Sequence, residues 1–290
     1  MADEVTYSGL SGNYTYTYRL LADSLVESLY ENAQNILPFL IRKSIAGFIS
    51  DSERFPKAPA LAAAALTDGN DLANTAYVPT QITLTVAEVG LAMTLTDLAN
   101  FSSITDIQQL GFEAGQAVAD KLITDIAALG SGFTNTSGGT GVNLTEQNIR
   151  DAKTTLIINK IPGPYAALLY PTQVNDLEGS IGSTLSAAAT TGTSARAETN
   201  DMSMGPSMDH GTWFGIRILS SSTVPTANAS ADSAGFIFGG GRALGYVEKW
   251  AIRPELERDA SLRASEVVVT AAYAVGEIDD LSGVGLITDR

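Results

Sequence analysis

The stretch "QITLTVAEVGLAMTLTDLA", residues 81–99, alternates between apolar and polar side chains but changes phase partway along. Its apolar residues lie first at even positions and then at odd ones: Ile82, Leu84 and Val86, then Val89, Leu91, Met93 and Leu95. Because successive side chains of a β-strand point to opposite faces, this change predicts a change of the buried face. We expect a bulge or bend near residues 87–90 to produce it.

The composition describes a chain with an ordinary core and few surface charges. Hydrophobic residues make up 44% of the 290 residues, which excludes a disordered chain, whereas only 17% are charged. Few charges favour a surface that is largely covered by neighbouring subunits, and compositional drift is an equally good explanation. The formal net charge of -15 argues against a protein that grips nucleic acid through clustered Lys and Arg.

The chain offers no sign of an oxidising compartment or of a membrane. It has no cysteine, which excludes disulfides and zinc–thiolate sites. The start, "MADEVTYSGL", lacks the basic and apolar regions of a signal peptide. The longest apolar run, residues 58–66, is far shorter than the ~18 residues that a membrane span requires. We therefore expect a protein that is made in a cytoplasm and has no membrane partner.

The N-terminal half predicts an extended arm followed by helices and a long excursion. Residues 1–19 are polar and tyrosine-rich, and residues 20–49 favour a helix that is broken near Pro38. Residues 50–80 combine prolines, alanines and turn residues with little periodicity. A long amphipathic helix is predicted next, with a start like a capping box at Ser103 and Asp106 and apolar residues at steps of three or four up to Leu129.

The C-terminal half predicts a second helix and several strands. Thr145 is an N-cap candidate, with Leu144 and Ile149 placed for a hydrophobic staple and Pro162 ending the helix. Residues 165–170 favour a buried strand, followed by a short helix that ends at Gly179 and a low-complexity loop over residues 180–210. Further strands are predicted over residues 214–220, 234–240, 242–254 and 264–276.

The two long C-terminal strands each predict one apolar face. One face carries Leu244, Tyr246, Trp250 and Ile252, and the other carries Val267, Val269, Ala271, Tyr273 and Val275. Helices and strands do not alternate with a βαβ rhythm, which indicates the α+β class.

The residues that carry chemistry in enzymes are sparse. His210 is the single histidine, and its neighbour Asp209 is too close in sequence to orient it, which favours a loop histidine without a catalytic role. The carboxylates of Asp68–Leu72 and of Asp279 and Asp280 lack the spacing of a calcium loop and favour solvated turns. Neither glycine-rich stretch has a Walker or dinucleotide-binding spacing. We expect no enzyme activity, no cofactor and no metal.

The order of these elements resembles the major capsid proteins of tailed bacteriophages of the Hong Kong 97 type. The stretch "SERFPKAPALAAAALTDGNDLANTAYVPTQITLTV" (52–86) resembles the extended loop of that family, and "EVGLAMTLTDLA" (88–99) resembles its strand that runs into a helix start. Residues 143–177 resemble the entry to the axial domain, and "WFGIRILSSSTVP" (213–225) resembles a strand that leads to a Val-Pro turn. We expect no scaffold-like coiled region before the arm, which would mean that scaffolding help comes from a separate protein or is unnecessary.

The resemblance implies a Hong Kong 97-like capsid fold in five parts. These are an N-terminal arm and helix (1–49), an extended loop (50–96), a peripheral domain with a spine helix (97–141), an axial domain (142–240), and strands that return to the peripheral domain (241–290). It implies a shell of hexamers and pentamers that encloses phage double-stranded DNA without binding it specifically. Assembly would occur in the host cytoplasm, with scaffolding, portal and decoration proteins as separate partners.

The extended loop supplies the candidate contacts between subunits, because its apolar side would face the adjacent subunit. The candidates are Arg54, Phe55, Lys57, Ile82, Leu84 and Val86; Lys57 could pair with a neighbour, and an exposed lysine is the simpler interpretation. A bulge within an ordinary two-sided sheet is the alternative explanation of the change in phase. Two other functions stay open: an encapsulin-type compartment shell, and a hydrolase or sugar-binding protein of small oligomers.

Overall fold

A computed structural model of the single chain describes residues 36–57, 59, 61, 63, 65, 76–96, 107–190 and 209–290. The predicted arm, the helix start at residues 103–106 and the carboxylates of Asp68–Leu72 lie outside these residues. The described strands, in chain order, are β1 (Ile41–Ser44), β2 (Ser52–Lys57), β3 (Thr80–Thr85), β4 (Ala87–Thr96), β5 (Thr136–Gly138), β6 (Tyr165–Leu169), β7 (Asp209–Trp213), β8 (Ile216–Ser220), β9 (Thr226–Ala227), β10 (Asp232–Gly239), β11 (Leu244–Asp259), β12 (Ala264–Glu277) and β13 (Gly283–Asp289). The described α-helices are α1 (Ile107–Leu129), α2 (Glu146–Ile158) and α3 (Pro171–Thr190).

The first sheet has the order β1-β11-β12-β4. Strands β11 and β12 form a long antiparallel hairpin, β4 pairs antiparallel with β12, and β1 pairs parallel with β11. The predicted apolar face of β12 lies in the core, since Val267, Val269, Ala271 and Tyr273 are buried and Val275 packs against them.

The second sheet has the order β5-β13-β10-β6-β8-β7, with β9 paired to β10. All eight residues of β10 are buried, as expected for the central strand of a sheet that is covered on both faces. Helices α2 and α3 pack against this sheet through a second core that includes Ile149, Leu156, Val174 and Leu177.

Helix α1 joins the two sheets. Its apolar residues at steps of four, Ala114, Val118, Leu122 and Ile126, are buried in one cluster with Phe236 and Phe238 of β10 and with Val267 and Val269 of β12. Because one helix face contacts both sheets, the two sheets share a continuous core. The amphipathic helix predicted from the sequence is confirmed over residues 107–129.

The N-terminus of α2 has the predicted form. The side chain of Thr145 accepts a hydrogen bond from the backbone N–H of Asn148, and both staple residues, Leu144 and Ile149, are buried. The helix ends at Ile158, where Lys160 takes a left-handed conformation with φ 58°. The expectation that Pro162 ends this helix is therefore wrong, because the turn at Lys160 has already ended it.

Two other expectations about the fold are wrong. Residues 41–44 form β1 rather than helix, because they pair with β11 about 200 residues later in the chain. Helix α3 continues through Gly179 to Thr190 in place of the expected loop, and Leu185 and the three alanines 187–189 favour helix in this stretch. Within residues 241–290, β11 and β12 belong to the first sheet and β13 pairs with β10 and β5 of the second sheet, and the division into five parts stays a prediction.

Candidate subunit interface and the docked hairpin

The change of phase in the sequence corresponds to a change of sheet. Strand β3 pairs with β2 in a two-stranded hairpin, whereas β4 pairs with β12 in the first sheet. Val86 separates the two strands, and its backbone N–H donates to the carbonyl oxygen of Asp51 at 2.8 Å. Strand β4 keeps an unbroken register from Ala87 to Thr96, so the expected bulge near residues 87–90 is absent and the break lies at Val86.

The two apolar phases pack into two different clusters. The residues at odd positions, Val89, Leu91 and Met93, pack against the main core that contains α1. The residues at even positions, Ile82, Leu84 and Val86, pack against a small cluster of Ile45, Phe55, Val247 and Ile278. The predicted change of buried face is therefore confirmed.

The hairpin β2–β3 packs against strands β11 and β12 at two glycines, which we call the glycine seat. Gly245 and Gly276 are directly opposite each other in the β11–β12 pairing. A Cβ atom at Gly276 would lie 2.3 Å from Cδ2 of Leu84, and a Cβ atom at Gly245 would lie 3.3 Å from Cζ of Phe55. Since real Cβ atoms are not found at the first distance, the absence of a side chain at Gly276 is what lets Leu84 lie so close to the sheet.

Three ion pairs connect the hairpin region to the rest of the subunit. Lys43 of β1 pairs with Glu53 at 2.6 Å and also donates to the carbonyl oxygen of Arg54 at 2.7 Å. Lys249 of β11 pairs with Asp51, which is exposed, so this pair contributes little. Lys57 at the end of β2 pairs with Asp279, whose side chain is only 18% exposed.

Lys57 lies near a group of acidic residues at the end of β12, where it pairs with Asp279 and acts on Glu277. Burial of Asp279 would raise its pKa, but Lys57 and Ser282 outweigh burial and hold the pKa below its ordinary value of 3.8. Burial, reinforced by Asp280, raises the pKa of Glu277, and Lys57 acts in the opposite direction. Lys57 therefore compensates more negative charge than that of Asp279 alone.

The structure places the six candidate contact residues on this hairpin and its junction. The apolar side of residues 81–86 packs in part on the subunit's own sheet, at the position of the two glycines. Phe55 is buried, Ile82, Leu84 and Val86 are half-buried, and Lys57 pairs within the chain. Arg54 is exposed. The assignment of the six residues to contacts between subunits stays a prediction.

Sequence reasoning missed Gly245 and Gly276, which receive the hairpin, and interpreted Asp279 as part of a solvated turn, whereas it pairs with Lys57 and is largely buried. A glycine in a strand interior signals a close approach of another segment, and both glycines lie inside long apolar strands. That signal was available from the sequence, whereas the identity of the approaching segment was not.

The candidate catalytic residues do not form a catalytic arrangement. Nε2 of His210 lies 2.7 Å from Oγ of Ser220, but the carboxylate of Asp209 pairs with Arg217 and accepts from the N–H of Gly211. Asp279 faces Lys57, and Asp280 accepts from the backbone N–H of Thr134. Within the described ranges, no group of three or more His, Cys, Asp or Glu could hold a metal ion. No helix in this part of the chain is long and apolar enough to cross a membrane.

The sequence of residues 81–284 matches the family described as phage capsid protein. This match covers more than half of the chain, and it starts at the first residue of the stretch whose phase changes. The chain therefore belongs to the phage capsid protein family. No curated protein matches the sequence.

Solved capsid structures share the fold. The capsid asymmetric unit of cyanophage Pam1 gives a TM-score of 0.66 at 14% identity, over 90% of this chain and 93% of that chain. The capsid of Ralstonia phage GP4 gives 0.66 at 12% identity, over 87% of each chain. A virus-like particle from Pyrococcus furiosus gives 0.58 at 11% identity, over 93% of this chain and 98% of that chain. The Hong Kong 97-type fold and the α+β class are thus confirmed.

The family and the fold together identify a structural protein: a phage major capsid protein that forms a shell. This conclusion rests on the family and the fold and not on the expectation that the apolar side of β3 completes its burial on another copy, which stays a prediction. The compartment-shell and small-oligomer alternatives are not favoured.

Proposed function

We propose that copies of this chain assemble into hexamers and pentamers of a closed icosahedral shell around phage double-stranded DNA, in the host cytoplasm, and remain in the virion. The observation that carries the proposal is the family match over residues 81–284, which includes helix α1 and every strand of the two large sheets except β1 and most of β13. Near-equivalent contacts repeated around rings provide closure. Scaffolding, portal and decoration proteins would act as separate partners.

The distal part of the hairpin is better suited than its base to contact a neighbouring copy. At the base, Phe55, Ile82 and Leu84 are covered in whole or in part by the same chain. Beyond the base, large apolar side chains are exposed: Leu61 is 65%, Tyr77 58% and Val78 68% exposed. Tyr77 and Val78 are neighbours in the chain, and exposed apolar residues that lie next to one another are typical of interaction sites.

The acidic balance supports a shell that encloses DNA without gripping it. With 32 acidic against 17 basic residues, the subunit repels phosphate overall, and strong binding would require clustered Lys and Arg. We expect dissociated subunits to bind DNA weakly. Nanomolar binding at physiological salt would contradict this part of the proposal.

Negative-stain microscopy of the purified protein tests the shell itself. Closed particles hundreds of ångströms across support the proposal, and uniform small oligomers under all assembly conditions contradict it. Genome neighbourhood separates a phage shell from a cellular compartment, since a phage shell gene lies near terminase and portal genes.

Two matched double variants test the distal contact. Tyr77→Asp with Val78→Asp places charge on exposed apolar positions, so the subunit should fold normally but form no closed shells. Tyr77→Phe with Val78→Ile keeps the apolar area and should form shells like the parent. Normal shells from the aspartate variant would show that this segment does not carry the contact.

A further inference from the structure

We propose that the Lys57–Asp279 ion pair, together with the contact of Leu84 on Gly276, positions the extended loop in the free subunit before assembly. We call these four residues the loop clamp. The inference deepens the proposed function and rests on it, because it names the residues that set the direction in which the loop reaches another copy.

The hairpin needs stabilising contacts with the rest of the subunit because it has only two strands. Strands β2 and β3 pair only with each other in the described chain, and an isolated two-stranded hairpin is marginally stable in water. On one side a single residue, Val86, joins the hairpin to β4; on the other, residues 45–51 join it to β1. The backbone N–H of Val86 donates to the carbonyl oxygen of Asp51 across this junction. We call this junction the pivot of the hairpin.

The clamp acts at a distance from that pivot. Lys57 is the last residue of β2, five residues from Ser52 at the pivot end, which corresponds to about 17 Å along the strand. Leu84 contacts Gly276 close to the pivot, whereas Lys57 reaches Asp279 three residues farther along the chain that continues β12. The Phe55 cluster and the Lys43–Glu53 pair also hold the hairpin, and the Lys57–Asp279 pair adds a contact at the end of β2 farthest from the pivot, where it restricts the tilt of the hairpin most.

The negatively charged side chains near the end of β12 attract Lys57 to its position in the loop clamp. Lys57 pairs with Asp279 and also acts on Glu277, and Asp280 adds negative charge near Glu277. Removing the lysine leaves carboxylates that repel one another at the place where the strand should rest. Arg54 lies exposed on the same strand, which makes it the matched control for removal of one positive charge.

Pairs of spin labels can measure the direction of the loop, since the chain has no native cysteine. One label is placed at Thr83→Cys on the exposed face of β3 and the other at Ala128→Cys on the exposed side of α1. Electron paramagnetic resonance distances are then measured in unassembled subunits. We expect one narrow distribution for the parent and for Arg54→Met, and a broadened distribution for Lys57→Met and Asp279→Asn.

Lys57→Met and Asp279→Asn are then followed through assembly beside the parent, whereas Arg54→Met serves as the control only in the free subunit, because Arg54 is itself a candidate contact between subunits. Loss of closed shells for Lys57→Met, with circular dichroism unchanged, supports the clamp as a positioning device. An unchanged narrow distribution for Lys57→Met, or normal shells despite a broadened one, overturns it. Failure of the parent to form shells would contradict the proposed function instead, and the distances in free subunits would still decide whether the clamp holds the loop.

Discussion

Leu84 of the extended loop lies directly on Gly276 of the sheet, so that a single added methyl group at Gly276 would stand 2.3 Å from Cδ2 of Leu84. The loop and the long strand β12 are in contact here, and the contact depends on the absence of a side chain at Gly276. A shell subunit that projects a long loop gains from such a contact, because a preset loop loses less conformational freedom on assembly.

Gly276→Ala should destabilise the subunit by no more than about 1 kcal/mol, the low end of the cost of overpacking, because the end of the half-buried Leu84 side chain must move aside. Adding Leu84→Ala should restore the space, so the double variant should be more stable than the sum of the two single effects implies. Urea unfolding gives the three free energies.

Gly179→Ala is the control for that series. A Cβ atom at this helical glycine meets nothing within 4 Å, so the change should be neutral or stabilising by up to about 1 kcal/mol. Simple additivity of Gly276→Ala and Leu84→Ala would show that the two residues do not share one space.

Ile82→Asp with Leu84→Asp should undock the hairpin without unfolding the subunit. Both side chains belong to the small cluster around Phe55, which is separate from the two larger cores. Two carboxylates placed against this cluster favour exposure of the hairpin to water. Circular dichroism should therefore change little, whereas microscopy should show no closed shells.

The intervening position provides the comparison. Thr83 is exposed on the opposite face of β3, so Thr83→Asp should leave the hairpin docked. Loss of the entire fold in the double variant would mean that the hairpin belongs to the folding unit and is not an attached element.

Acid should abolish the stabilisation that Lys57 provides. The pKa of Asp279 lies below its ordinary value of 3.8 in the folded chain, so the unfolded chain takes up the proton first as the pH falls. The contribution of this pair is full above about pH 4 and is lost as the pH falls through the lowered pKa. Because Lys57 is 38% exposed, we expect the contribution of this ion pair to the unfolding free energy to be under about 1 kcal/mol.

The measurement is the difference in unfolding free energy between the parent and Lys57→Met, taken at several pH values. This difference should also shrink with added salt, since exposed pairs are screened. A difference that grows toward low pH would contradict the assignment of the pair to a charged Asp279.

Local patterns in the sequence were enough to predict helix α1, the N-cap of α2 and the face of β12, since each depends on neighbours within a few residues. The change of the buried face at Val86 was also predictable from the sequence, because alternation with a period of two shows which face is buried. The sequence did not show that β3 and β4 belong to different sheets, because their partner strands lie in different regions of the chain.

Trp250 shows where periodicity fails. The sequence places it on one face with Leu244 and Tyr246, but register shifts in β11 lie on either side of it. Trp250 therefore lies opposite Ala272, whereas Glu248 lies opposite Tyr273, whose side chain is in the core. An extra residue in one strand reverses the faces that follow, and no local pattern announces it.

Gln173→Leu should be the most destabilising of the changes considered, because it removes a buried polar connection at the centre of the second sheet. The side chain is fully buried, and its Nε2 donates to the carbonyl oxygens of Ser233 and Leu286 and to Oγ1 of Thr288, at 3.2, 3.0 and 2.8 Å. Its Oε1 accepts from the backbone N–H of Tyr170 at 3.0 Å. Each buried group left without a partner costs about 1–3 kcal/mol.

The matched change is Gln147→Leu, since Gln147 is exposed on α2 and bonds only to Asp151 among the described contacts. It should alter the unfolding free energy by less than about 0.5 kcal/mol. If both variants unfold at the same urea concentration, the Gln173 contacts contribute no net stability. If Gln173→Leu alone is destabilised but still assembles, the second sheet tolerates a looser centre within the shell.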